Sequence, residues 1–126
     1  MNKKWFLVAV VVGCVAAALA VAAGAFAAHA LGSVLEPKAL AWVETAARYQ
    51  FYHALALLVC AVLGKVLECS LAVAISCFAL GIVCFSGSLY VLALSGSKSL
   101  VYLTPLGGLL FIVGWLVLAV SLVRRA

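Results

Sequence analysis

WFLVAVVVGCVAAALAVAAGAFAAHAL, Trp5 to Leu31, runs for 27 residues without an aspartate, glutamate, lysine or arginine. Bilayer hydrocarbon is about 30 Å thick and a helix rises about 1.5 Å per residue, so roughly 20 apolar residues make one crossing. This stretch therefore reads as a transmembrane helix. Lys3 and Lys4 ahead of it resemble a signal peptide, AFAAHA resembles a cleavage site, and VVGC ending at Cys14 resembles a loose lipobox. Length argues against all three. The run far exceeds a signal core of about 7 to 15 residues, and Cys14 is followed by more membrane-length sequence where a lipoprotein would have a polar tether.

Composition extends this reading to the whole chain. Of 126 residues, 70% are hydrophobic and only 9% charged, where water-soluble domains carry about 25% charged residues. The solvent is lipid, and the length has room for four crossings, about 5–31, 44–63, 69–94 and 103–123. The expected fold is an all-α, single-domain bundle of four transmembrane helices. Within the first span, Ala16, Ala20, Gly24 and Ala28 recur every fourth residue, a small-residue stripe of the kind that lets helices pack closely in lipid. Pro37 suits a first helical turn, and Thr104 with Pro105 reads as an N-cap followed by a first-turn proline. SGSKS, Ser95 to Ser99, is the turn between the last two spans.

The net charge of +5 is scattered in ones and twos at the ends of apolar runs, with no patch that would bind nucleic acid. It orients the chain instead. Lys3, Lys4, Lys65, Arg124 and Arg125 fall on one side of a four-span topology, against Lys38, Arg48 and Lys98 on the other, which predicts cytoplasmic N and C termini. Five cysteines, odd in number and without metal or redox spacing, read as small packing residues.

The exception to this apolar chain is ETAARYQFYHALALL, Glu44 to Leu58. Topology gathers its polar residues in the outer leaflet with others: His29 at the end of span one, Glu44, Arg48, Tyr49, Gln50, Tyr52 and His53 in span two, Ser86, Ser88 and Tyr90 in span three, and Thr104 in span four. Glu44 and Arg48, four apart in the acid-first order, are expected to form an ion pair near the headgroups that fixes the depth of span two. Tyr52 continues their stripe, while Tyr49 and His53 form a second one. His53 is expected to donate to a polar group on a neighbouring helix. His29 and His53 lie at different depths, which argues against haem or another metal. No cofactor is called for. The chain lacks a nucleophile elbow, a zincin helix, a phosphate loop and paired catalytic carboxylates, so an enzyme is the least supported class.

GAFAAHAL (Gly24 to Leu31), ETAARYQFYHALALL, FSGSLYVLALSG (Phe85 to Gly96) and LTPLGGLLFIVGW (Leu103 to Trp115) together resemble the signature segments of the YgdD-like family of small bacterial membrane proteins. That family is a domain-of-unknown-function family with a eukaryotic branch, transmembrane protein 256. The resemblance covers nearly the whole chain and implies a four-helix inner-membrane protein without an assigned activity. Its motifs fall on the same polar residues, with Pro105 added. Ala27 departs from a glycine in the family pattern, which would loosen close packing there. The combined reading is an accessory or scaffold bundle in the lipid bilayer, its partner either another membrane protein or a second copy of the chain. A small transporter or oligomeric channel using Arg48, Glu44 and His53 is the alternative.

Overall fold

The computed structural model describes residues 1–125. Its four long helices are α1 (Lys3–His29), α2 (Pro37–Val66), α3 (Ala72–Ser95) and α4 (Leu103–Val123), each long and apolar enough to cross a membrane. Local chemistry sets most of their ends. The Asn2 side chain caps α1 by accepting from the Lys4 amide at 2.9 Å, and Pro37 opens α2 where its missing N–H is not needed. Gly96 closes α3 in the left-handed conformation, φ 69°, which glycine adopts without a Cβ penalty. Thr104 is not an N-cap. Helix α4 begins at Leu103, and Thr104 lies inside it with no capping hydrogen bond, because the turn before it already closes through Val101 N–H to Lys98 carbonyl and Leu103 N–H to Leu100 carbonyl.

Packing is pairwise. Helix α1 lies along α2, α2 packs on α3, and α4 packs on α3, while α1 and α4 occupy opposite flanks. The buried residues of α1 are Ala9, Gly13, Ala16, Ala20 and Ala27, at intervals of four, three, four and seven. A strict every-fourth-residue stripe turns by about 40° per step relative to the helix. Accordingly the expected stripe leaves the interface: Ala28 is exposed and a Cβ at Gly24 would meet nothing within 4 Å. Gly13 makes the close approach instead, with Leu58 and the Ala54 carbonyl about 3 Å from where its Cβ would stand. Ala27 is buried against Val43 and Ala93, so alanine fills that position without loosening it. Of the five free cysteines, Cys60 and Cys69 are buried, Cys77 and Cys84 half-buried, and Cys14 exposed to lipid rather than packed.

Helix α3 is not a uniform α-helix. Residues Ile82–Gly87 form a π-helical segment between the α-helical stretches Ala72–Gly81 and Ser88–Ser95. A π turn closes hydrogen bonds one residue further along than an α turn, so it shifts the direction of every side chain that follows. Gly107 on α4 lies against the Phe85 backbone of this segment, in a space where a Cβ would come within 3 Å of the Phe85 Cα.

Candidate functional site

The π segment is braced on both sides. Ser86 donates to the Ala46 carbonyl of α2 at 2.7 Å. Ser88 donates to the Phe85 carbonyl at 2.9 Å, leaving Thr104 on α4 to supply the proton for the 2.5 Å contact between the two hydroxyls. One turn on, Tyr90 donates to Oε1 of Gln50 at 2.8 Å, and Nε2 of Gln50 donates to the Ala16 carbonyl at 2.8 Å. Gln50 thus joins α1, α2 and α3 through one amide. Buried polar groups without partners are costly in hydrocarbon; among the described residues none of the buried side-chain nitrogens or oxygens lacks one.

His53 is only 5% exposed. Its Nδ1 lies 2.7 Å from the Tyr49 carbonyl and its Nε2 accepts from the Trp115 indole at 3.2 Å. The carbonyl can only accept and the indole can only donate, which selects the tautomer with the proton on Nδ1. Both ring nitrogens are committed, leaving no lone pair for a metal. The ring stacks on Phe111 with centroids 3.5 Å apart and planes 5° from parallel. Here the hydrogen-bond donor to His53 comes from α4, and His53 itself donates within its own helix.

Above this stack a lateral groove of about 890 Å³ opens between α2 and α4, with Tyr49, Tyr52, Phe85, Leu109, Ile112 and Trp115 on its walls. Helices α2 and α4 face each other here through aromatic side chains, not close backbones. The volume lies within the roughly 300–1,000 Å³ of small-molecule pockets, and the lining is almost wholly apolar.

The residues expected to form one cluster therefore separate. Gln50, Ser86, Ser88, Tyr90 and Thr104 form the buried clasp; Tyr49, Tyr52 and His53 face the groove; Glu44 and Arg48 lie in a different cleft, between α1 and α2. His29 is exposed at the end of α1 and joins none of them. The expected ion pair is not formed: among the described residues no lysine, arginine or histidine nitrogen lies within 4.0 Å of a carboxylate oxygen. Glu44 and His53 are nine residues apart, two and a half helical turns, and so point to opposite sides of α2. Phe111, Trp115 and Gly107 are the site residues that sequence reasoning missed. Their spacing of four along α4 was the available signal.

Residues 23–108, from the end of α1 through the start of α4, match the family described as Protein of unknown function (DUF423). The chain belongs to the DUF423 family. It is 46% identical over 99 residues to the UPF0382 membrane protein of Haemophilus influenzae, covering 79% of this chain and 80% of that one. It is 42% identical over 117 residues to UPF0382 membrane protein SERP0230 of Staphylococcus epidermidis, covering 93% and 96%. With UPF0382 inner membrane protein YgdD of Escherichia coli K12 it shares 39% identity over 110 residues, covering 82% and 80%. No solved structure matches. This DUF423 protein is a multi-pass membrane protein, and the matched region contains the clasp side chains Gln50, Ser86, Ser88, Tyr90 and Thr104 and the α2 wall of the groove.

Proposed function

We propose that this protein is an accessory or scaffold protein of the bacterial inner membrane, whose aromatic groove seats a transmembrane segment of another membrane protein. The observation that carries this reading is the contrast between the groove and the clasp. The buried polar groups are spent on one another and on the backbone, whereas the groove presents an apolar concavity to the lipid with no partner inside the chain. Helices associate in lipid through shape and van der Waals contact, which a groove of rigid aromatic rings with Gly108 on its wall supplies.

The test is to fill the groove without disturbing the fold. Leu109 and Ile112 are more than half exposed, so the double substitution L109W/I112W adds bulk outward. After gentle extraction, native mass spectrometry is expected to find the wild-type chain with a stoichiometric membrane-protein partner, and the variant at normal abundance without it. A partner retained by the variant would remove the groove from the proposal. A second copy of the chain as the lost partner would narrow the reading to homo-oligomer formation. The transport alternative requires Glu44, Arg48 and His53 along one path, which two opposite sides of α2 do not provide within one protomer. Solute flux in proteoliposomes that disappears with Arg48→Ala would favour it over the scaffold.

We further infer from the distribution of basic residues that both termini face the cytoplasm and the groove opens in the outer leaflet. Cysteine placed at Ser97, in the exposed turn between α3 and α4, is expected to react with a membrane-impermeant maleimide in intact cells. Labelling that appears only after the membrane is opened would reverse the orientation.

A further inference from the structure

We propose that the cleft between α1 and α2 binds the headgroup of a zwitterionic phospholipid bearing a primary ammonium, with Glu44 receiving the ammonium and Arg48 the phosphate. The cleft has a volume of about 420 Å³ and is bordered by Gly24 on α1 and by Glu44, Arg48 and Phe51 on α2. It lies on the side of α2 away from His53 and does not depend on the scaffold reading.

Two unpaired opposite charges in one cleft, on an otherwise apolar surface, are the reason to look for a ligand. Both side chains are exposed, and among the described residues neither is within ion-pair distance of a partner. Depth is marked by Trp42, half-buried with the Lys38 ammonium 5.5 Å from its ring centroid, an arrangement typical of the headgroup layer. At about 1.5 Å per residue, Glu44 lies roughly 3 Å below Trp42 along the helix and Arg48 roughly 9 Å below it. The acid is outermost and the base one turn deeper.

A phospholipid with an ethanolamine headgroup has the same order. Its ammonium is outermost, its phosphate a two-carbon linker below, and its chains deeper still. Arg48 offers the fork of N–H donors that suits phosphate, and Glu44 accepts from an ammonium that has three protons to donate. Phe51 and Val21, both exposed at the lower end of the cleft, continue it as an apolar wall for an acyl chain. Gly24 leaves the opposite side open, since nothing stands within 4 Å of where its Cβ would be. A glycerol headgroup would leave the Glu44 carboxylate without a cation and close to a phosphate. A quaternary ammonium would match the charge yet have no proton to donate.

The experiment is native mass spectrometry of the delipidated full-length protein titrated with phosphatidylethanolamine, phosphatidylcholine or phosphatidylglycerol of identical chains. Wild-type protein is expected to bind phosphatidylethanolamine about tenfold more tightly than either of the others. Glu44→Gln is expected to abolish that preference while keeping phospholipid binding, and Arg48→Gln to weaken all three lipids. Both side chains are exposed and, among the described residues, make no hydrogen bond, so both variants are expected to keep the fold. Equal affinities for the three lipids in the wild type, or a preference that survives Glu44→Gln, would overturn the proposal. Displacement of the lipid by inorganic phosphate at equal concentration would overturn it as well, by showing a site for the anion alone.

Discussion

Gly107→Ala is expected to destabilise the protein by about 1–3 kcal/mol, the usual range for forcing extra volume into a packed site, even though alanine is the better helix former by nearly 1 kcal/mol. The added methyl would stand 2.7 Å from the Phe85 Cβ and 2.8 Å from its Cα. A backbone atom cannot rotate out of the way as a side-chain terminus can. Helix α4 would have to move off the π segment, stretching the Thr104 to Ser88 bond and lifting Phe111 from His53. Gly24→Ala is the control. The same methyl there meets nothing within 4 Å, so the intrinsic helical gain stands alone. Thermal unfolding in detergent should show the two alanine variants moving in opposite directions, and a Gly107→Ala protein as stable as wild type would mean that α4 does not lean on Phe85 in solution.

Gln50→Leu is expected to cost about 1–3 kcal/mol, because it removes two interhelical hydrogen bonds that in membranes average about 0.6 kcal/mol and reach about 1.7, and leaves the Tyr90 hydroxyl half-buried without its acceptor. Tyr90→Phe removes only one bond and should cost less. The double variant is the informative one. With the orphaned hydroxyl gone, Q50L/Y90F should be no less stable than Gln50→Leu alone. Simple addition of the two single effects would show that Gln50 and Tyr90 act independently, against a three-helix clasp.

Hydropathy alone shows the four crossings, because in lipid the length of an apolar run decides whether it spans. Side-chain direction is harder to read. The helical angle along α2 already places Glu44 and His53 on opposite sides, so the division between charged cleft and aromatic groove is legible in the sequence. The stripe on α1 misleads for the opposite reason: Ala16 and Ala20 lie in the interface, and continuing by fours walks out of it to Ala28. Nothing in IVCFSG, Ile82 to Gly87, announces a π turn, and its register shift is what lets Ser86 reach α2 while Ser88 reaches α4. Gly107, Phe111 and Trp115 were legible as a stripe but not as a site, since their role comes from α2 and α3. The missing Glu44–Arg48 pair reflects a weak preference: such surface pairs contribute only a few tenths of a kcal/mol, too little to dictate side-chain positions.

The pairwise packing bears on how the protein is made. Ribosomes deliver a chain to the membrane N-terminus first, and among the described residues the side-chain donors that bridge two helices lie on the later one: Gln50 reaches α1, Ser86 and Tyr90 reach α2, Thr104 reaches α3 and Trp115 reaches α2. Each helix on arrival finds its polar partner already in the bilayer. Each of these side-chain donors can therefore close its bond as its own helix arrives, in the order of the sequence.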